Sequence, residues 1–253
     1  MRIFLTGASS GIGAALARHY AAAGATLGLA ARRGQRLSAL AAELPGTHSC
    51  YPLDVADAAA LQAAAADFIA RHGCPDIVIA NAGVSGGTLA DEAGDLPALR
   101  RIFETNVIGM AQTFQPFIAA MKARGSGRLV GIASVAGIRG LPGAGAYSAS
   151  KAATIAYLEA LRIELRGSGV KVVTIAPGYI ATPMTAVNRY RMPFLMPADA
   201  AAWRFARAIE RGISYTVIPW QMGVVAKLMR LLPDSVFDAL CARGGRKPRG
   251  LDL

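Results

Sequence analysis

The chain has 253 residues, of which 53% are hydrophobic and 17% charged, with room for one large domain or two small ones and too apolar a composition for a disordered chain. Its longest uncharged runs, such as 105–121, contain Gln, Thr and Pro and fall short of the ~20 apolar residues that a membrane-spanning helix needs. A formal net charge of +11 raises nucleic acid as a partner, but residues 189–253 alone hold 11 Lys/Arg against 5 Asp/Glu, no nucleic-acid module accompanies them, and no nucleic-acid partner is expected.

Taken in chain order, the start Met1-Arg2-Ile3-Phe4-Leu5 has the charge and apolar run of a short signal peptide, but Thr6-Gly7-Ala8-Ser9-Ser10-Gly11 interrupts it at once. A strand and loop are predicted there. Short β-rich runs then alternate with Ala-rich segments of helical length: strands near 2–6, 26–31, 47–53, 77–81, 128–133, 170–176 and 215–218, and helices near 12–23, 36–44, 56–71, 97–123, 146–166 and 199–211. That alternation predicts an α/β fold, a doubly wound and mostly parallel seven-stranded sheet with helices on both faces. No linker or repeat divides the chain, so one domain spanning 1–253 is expected, ending in a helical and basic extension from about 219. The cysteines, Cys50, Cys74 and Cys241, are odd in number and widely spaced, which points to a reducing cytoplasm and to no metal site.

Two segments carry chemistry. Gly7, Ser9, Ser10, Gly11, Ile12 and Gly13 follow the first strand and open the first helix, where free backbone N–H groups and the positive end of the helix dipole hold a pyrophosphate. The spacing G-x-x-x-G-x-G departs from G-x-G-x-x-G, and by itself it also fits an ordinary tight turn. Tyr147 and Lys151 stand at i,i+4, on one face of a helix. An ammonium beside a phenol favours phenolate, which matters because at a pKa of ~10 only ~0.1% of a tyrosine is ionised near neutrality. In the reductive direction a neutral Tyr147 donates its proton directly. Standing alone, such a pair is also a common surface coincidence. Ser134 ends the fifth strand and Asn81-Ala82-Gly83 ends the fourth, so all of these reach the carboxyl edge where open α/β sheets bind ligands.

Together these motifs resemble the short-chain dehydrogenase/reductase family, over roughly residues 1–212, and the resemblance implies a Rossmann-like sheet. It implies that Tyr147 is the general acid/base, that Ser134 orients and polarises the substrate oxygen, and that Lys151 also bonds the nicotinamide ribose. Asn106 matches the asparagine whose backbone holds a water on the proton relay to Lys151. Asp54, with Val55, matches the adenine-contacting acid, an ordinary helix N-cap being the other use of an Asp there. Pro177-Gly178-Tyr179-Ile180-Ala181-Thr182 is similar to the family's P-G-x-x-x-T segment and sets Ile180 and Thr182 beside the carboxamide.

After the second strand, Ala31 stands where an acid for the ribose 2′-OH is expected, and Arg32 and Arg33 follow, so NADP(H) is the expected cofactor. Ile138, Leu141, Tyr179, Met184, Phe194 and Met196 predict an apolar substrate pocket, for a hydrophobic ketone, a 3-oxo lipid or a small sugar-like carbonyl. Arg139, Arg189 and Arg191 are read as solvated. The expected activity is a carbonyl reductase or alcohol dehydrogenase, with a non-catalytic nucleotide-sensing protein as the alternative. Beyond residue 218 the chain departs from the family. Val224, Val225, Leu228, Leu231 and Leu232 form one apolar helical face ending at Pro233, with Asp234 as the cap of a second helix. That face covers the chain's own domain or the second subunit of a homo-oligomer. Alternatively, with Trp220 and the basic tail 243–249, it forms a peripheral membrane contact.

Overall fold

The computed structural model describes residues 1–242 and 244–250. Strands β1 (Arg2–Thr6), β2 (Thr26–Ala31), β3 (Ser49–Pro52), β4 (Ile77–Ala80), β5 (Gly127–Ile132) and β6 (Val170–Pro177) are joined by α1 (Gly11–Ala22), α2 (Gly34–Glu43), α3 (Ala58–His72), α4 (Leu96–Phe103), α5 (Gly109–Arg124) and α6 (Gly145–Glu164). A two-residue pair, β7 (Ile180–Ala181) with β8 (Met196–Pro197), brackets the short α7 (Pro183–Ala186), and α8 (Ala198–Arg211) leads to β9 (Tyr215–Ile218). Helices α9 (Trp220–Leu231) and α10 (Asp234–Cys241) follow. The main sheet is parallel throughout, in the order β3-β2-β1-β4-β5-β6-β9.

A parallel sheet buried on both faces demands apolar side chains in both directions, and alternation along β1 supplies them. Ile3 and Leu5 enter the core under α1, α2 and α8, while Phe4 enters the core under α3, α5 and α6. There Phe4 packs against Phe117 and Phe68 with ring centroids 4.9 and 5.7 Å away. Gly28 on β2 makes room for these rings, since a Cβ would lie 2.6 Å from Phe68.

The differences from expectation have local causes. Strand β3 is shorter than 47–53 because the His48 imidazole, and not a strand carbonyl, accepts the Leu27 N–H (3.2 Å). The predicted single helix 97–123 is α4 and α5 joined by a π-turn, Glu104–Ile108. Asp234 does not cap α10; Pro233 holds that position, and the Asp234 carboxylate pairs with Arg139. Arg139 is therefore not solvated: its guanidinium also donates to the Met229 and Leu232 carbonyls and lies 4.0 Å from the Phe237 ring centroid, clamping α9 and α10 to the domain. Helix α9 is held by Met222 and Ala226, while Val224, Leu228 and Leu231 of the predicted face stay exposed. Among the described residues no helix is long and apolar enough to cross a membrane.

Candidate active site

The strand order reverses between β1 and β4, and at their carboxyl ends the sheet opens into a cleft of about 610 Å³. One end is the β1–α1 loop. Helix α1 begins at Gly11 and its N-cap, Ser10, makes no side-chain cap, so its first-turn N–H groups are left for a ligand. Gly13 sits so close to the loop that a Cβ would lie 2.2 Å from the Gly7 carbonyl oxygen. Asn81 fixes the loop from β4: its amide donates to the Thr6 and Gly7 carbonyls (3.1 and 3.2 Å), and the Thr6 hydroxyl accepts the Asn81 and Ala82 N–H groups. Arg33 donates to both Ser9 and Ser10 hydroxyls (3.1 and 2.6 Å). Burial and the neighbouring Arg36 and Arg32 charges lower the Arg33 pKa.

Gly7, Ser9, Ser10, Gly11, Ile12, Arg32, Arg33, Asp54, Val55, Asn81, Ala82 and Gly83 line this cleft, and so do Ser134, Tyr147, Lys151, Pro177, Gly178, Ile180 and Thr182. Of the predicted site residues, Gly13 and Asn106 stand behind the wall. Asp54 is not the α3 cap, which is Asp57; it accepts the Ala56 N–H and pairs with Arg101, a partner that no sequence signal announced. Asn106 is fully buried in the π-turn, where its amide donates to the Val84 carbonyl and the Ser150 hydroxyl (both 3.0 Å) while its Oδ1 accepts the Val84 N–H (2.8 Å). Ser150 in turn donates to the Tyr147 carbonyl, so the buried asparagine ties the loop after β4 to the helix that carries Tyr147.

Ser134 ends the segment after β5 and accepts the Ala136 N–H. Lys151 is buried, with its ammonium 2.8 Å from the Ile132 carbonyl oxygen and 5.8 Å from the Tyr147 ring centroid. Here the electrostatics differ from expectation. Burial raises the Tyr147 pKa, with only the Ser134 hydroxyl acting against it, and burial pushes the Lys151 pKa down to about 8. At neutral pH the phenol is protonated and the amine charged.

The predicted apolar pocket is only partly assembled. Met184 lines the cleft, Met196 is buried in the core beneath it, Phe194 is half exposed, and Tyr179 stacks edge-on with Tyr190 at 6.3 Å between ring centroids. The donor set fits a dinucleotide: an uncapped helix N-terminus, a glycine cradle that a Cβ would fill, and two cleft residues, Ser85 and Thr105, whose buried hydroxyls have no hydrogen-bond partner.

A sequence profile of the short chain dehydrogenase family matches residues 1–192. An uncharacterized oxidoreductase of Myxococcus xanthus is 41% identical over 94% of this chain and 95% of its own. A 2-dehydro-3-deoxy-L-rhamnonate dehydrogenase (NAD(+)) of Sphingomonas is 37% identical over 71% of this chain and 72% of its own. Among solved structures, a short-chain dehydrogenase from Streptomyces avermitilis superposes with a TM-score of 0.81 at 30% identity, covering 94% of each chain.

Proposed function

This chain belongs to the short-chain dehydrogenase/reductase family of oxidoreductases, and from that premise we propose that it is an NADP(H)-dependent reductase converting the carbonyl of a hydrophobic substrate to a secondary alcohol. The observation that carries the reading is the setting of Tyr147, beside Ser134 and Lys151 and in one cleft with the open end of α1.

The loop from Gly7 to Gly13 would hold the pyrophosphate, Asp54 and Val55 the adenine side, Asn81, Ala82 and Gly83 the floor, and Pro177, Gly178, Ile180 and Thr182 the carboxamide end. Arg32 and Arg33 would bind a 2′-phosphate, beside Arg36 and with no acidic partner within ion-pair distance among the described residues; they are the support for NADP over NAD. Bound there, the nicotinamide supplies the hydride.

Ser134 holds the substrate oxygen, and Tyr147, kept neutral by burial, gives that oxygen its proton. Lys151, charged near neutrality, stabilises the phenolate left behind and offers a donor to the ribose. Asn106 acts from behind by fixing the backbone at Val84 and at Tyr147 through Ser150. The three unpaired cysteines support a reducing cytoplasm, and the open stripe Val224, Leu228 and Leu231 supports a homo-oligomer.

A carbonyl library screened for NADPH oxidation tests the reading, with Tyr147→Phe run beside the wild type. The variant is expected to lose about 100-fold or more in kcat, the scale of positioned acid catalysis. Its NADPH affinity should be nearly unchanged. Unaltered turnover in Tyr147→Phe, or no substrate found for the wild type, overturns it.

A further inference from the structure

The last described segment, 244–250, does not trail into solvent. It runs back across the substrate side of the cleft, and glycines mark its points of close approach. A Cβ on Gly87 would lie 2.2 Å from the Lys247 carbonyl oxygen, one on Gly143 would lie 3.0 Å from Arg246, and one on Gly245 would lie 2.3 Å from Tyr190. The Gly87 N–H donates to the Pro248 carbonyl (2.8 Å). Arg249 closes the strap with ion pairs to Asp95 (2.8 Å) and Glu92 (3.0 Å), and the Asp95 carboxylate, itself almost fully buried, also accepts the Leu89 N–H. Three loops are thereby tied together: the one after β4, the one before α6, and the segment between α7 and β8.

Between these fastenings lies Lys247. Its ammonium sits 5.7 Å from the Tyr147 ring centroid, much as Lys151 does at 5.8 Å, and the side chain is half-buried. Among the described residues it has no carboxylate or hydrogen-bond partner. Lys247 is not among the residues that line the dinucleotide cleft; it approaches Tyr147, which does line it, from the side of the strap. A ring 5.7 Å away is a weak cation–π partner, and here it already faces a second cation. Two ammonium groups at one phenol, neither with a carboxylate partner among the described residues, make a positive potential where the carbonyl substrate enters.

We propose that the strap 244–250 closes the substrate side of the site and that Lys247 is a specificity-determining residue, binding a carboxylate carried by the apolar carbonyl substrate. This rests on the reductase reading above and narrows it to oxo acids. It supplies the charged contact that Arg139, turned away toward α9 and α10, does not provide.

The test uses matched ligands that differ in charge: acetate with acetamide, hexanoate with hexanamide, and benzoate with benzamide. NADPH binding is first measured by nicotinamide fluorescence, so that failure of the cofactor reading registers separately. The pairs are then titrated calorimetrically against the full chain, free and with NADPH. At least one acid should bind roughly tenfold or more tightly than its amide, the scale of one charge-assisted hydrogen bond. Lys247→Gln should erase that preference and Lys247→Arg should keep it. Equal binding of acid and amide in all three pairs overturns the proposal, as does a preference that survives Lys247→Gln.

Discussion

Arg33→Ala is the sharpest probe of cofactor choice. In the structure Arg33 is exposed, bonds two serine hydroxyls, and stands beside Arg32 and Arg36. Like-charge crowding of this kind is relieved by a dianion and by little else nearby. A charge-assisted hydrogen bond to phosphate is worth about 1.5–3 kcal/mol, and exposure with salt screening brings the expected loss to about 1–2 kcal/mol, or roughly 5- to 30-fold in NADPH affinity. Ser9 and Ser10 lose only a donor that water replaces, so NADH affinity should change less than about twofold. Paired fluorescence titrations with NADPH and NADH, at low and high salt, measure the difference, and the NADPH loss should shrink as salt rises. Equal weakening of both cofactors would refute the reasoning, and so would a wild type that already prefers NADH.

Gly13→Ala should act on both cofactors alike, because its Cβ meets the Gly7 carbonyl and displaces the whole loop; overpacking of this kind costs about 1–3 kcal/mol, read as a lower Tm together with weaker NADPH and NADH binding. Ketone reduction should fall as pH rises through about 8, where Lys151 loses its charge, and a rate that stays flat well above that pH would show that the charge is not used. Burial alone would raise the Asp76 pKa, but the Arg2 N–H and the Arg2 and Arg124 guanidiniums outweigh it and hold it below the usual range. Its contribution is therefore present above the unfolded pKa and lost as pH falls through the folded one. Asp76→Asn should cost about 1 kcal/mol at pH 7, discounted for partial exposure, and should flatten the acid limb of the urea stability curve.

Much of the fold was legible because a buried parallel sheet leaves a plain signature. Ile77-Val78-Ile79-Ala80 is apolar at every position and is a strand buried at every position. What was not legible lies where the apolar pattern is indifferent to the outcome. A continuous helical periodicity over 97–123 is the same whether or not the hydrogen-bond ladder slips by one residue, and the slip at Glu104–Ile108 is what buries Asn106 beside Val84 and Ser150. Tyr147 and Lys151, on α6, were legible from their i,i+4 spacing and the family resemblance, and many other residues of the candidate cleft could be gathered in advance because they sit just after strands, at one edge of one sheet. Lys247 could not be: Arg249 meets Asp95 across 154 residues of chain, and the only local trace is that the loops it crosses carry Gly87 and Gly143.

The same distinction bears on the direction of the chemistry. Spacing puts Lys151 on the stripe of Tyr147, and from spacing alone the ammonium should stabilise phenolate. Burial reverses the balance: it raises the phenol, lowers the amine to about 8, and the Ile132 carbonyl takes one of the lysine's hydrogen bonds. A neutral phenol beside a charged amine is poised to give a proton to a developing alkoxide. Taking one from an alcohol first requires a phenolate that the surroundings disfavour. Under the proposed mechanism reduction is therefore the direction expected to be faster near neutrality, and rising pH should not rescue oxidation early, because Lys151 loses its charge near pH 8, before Tyr147 ionises, and the phenolate then forms without its charged partner.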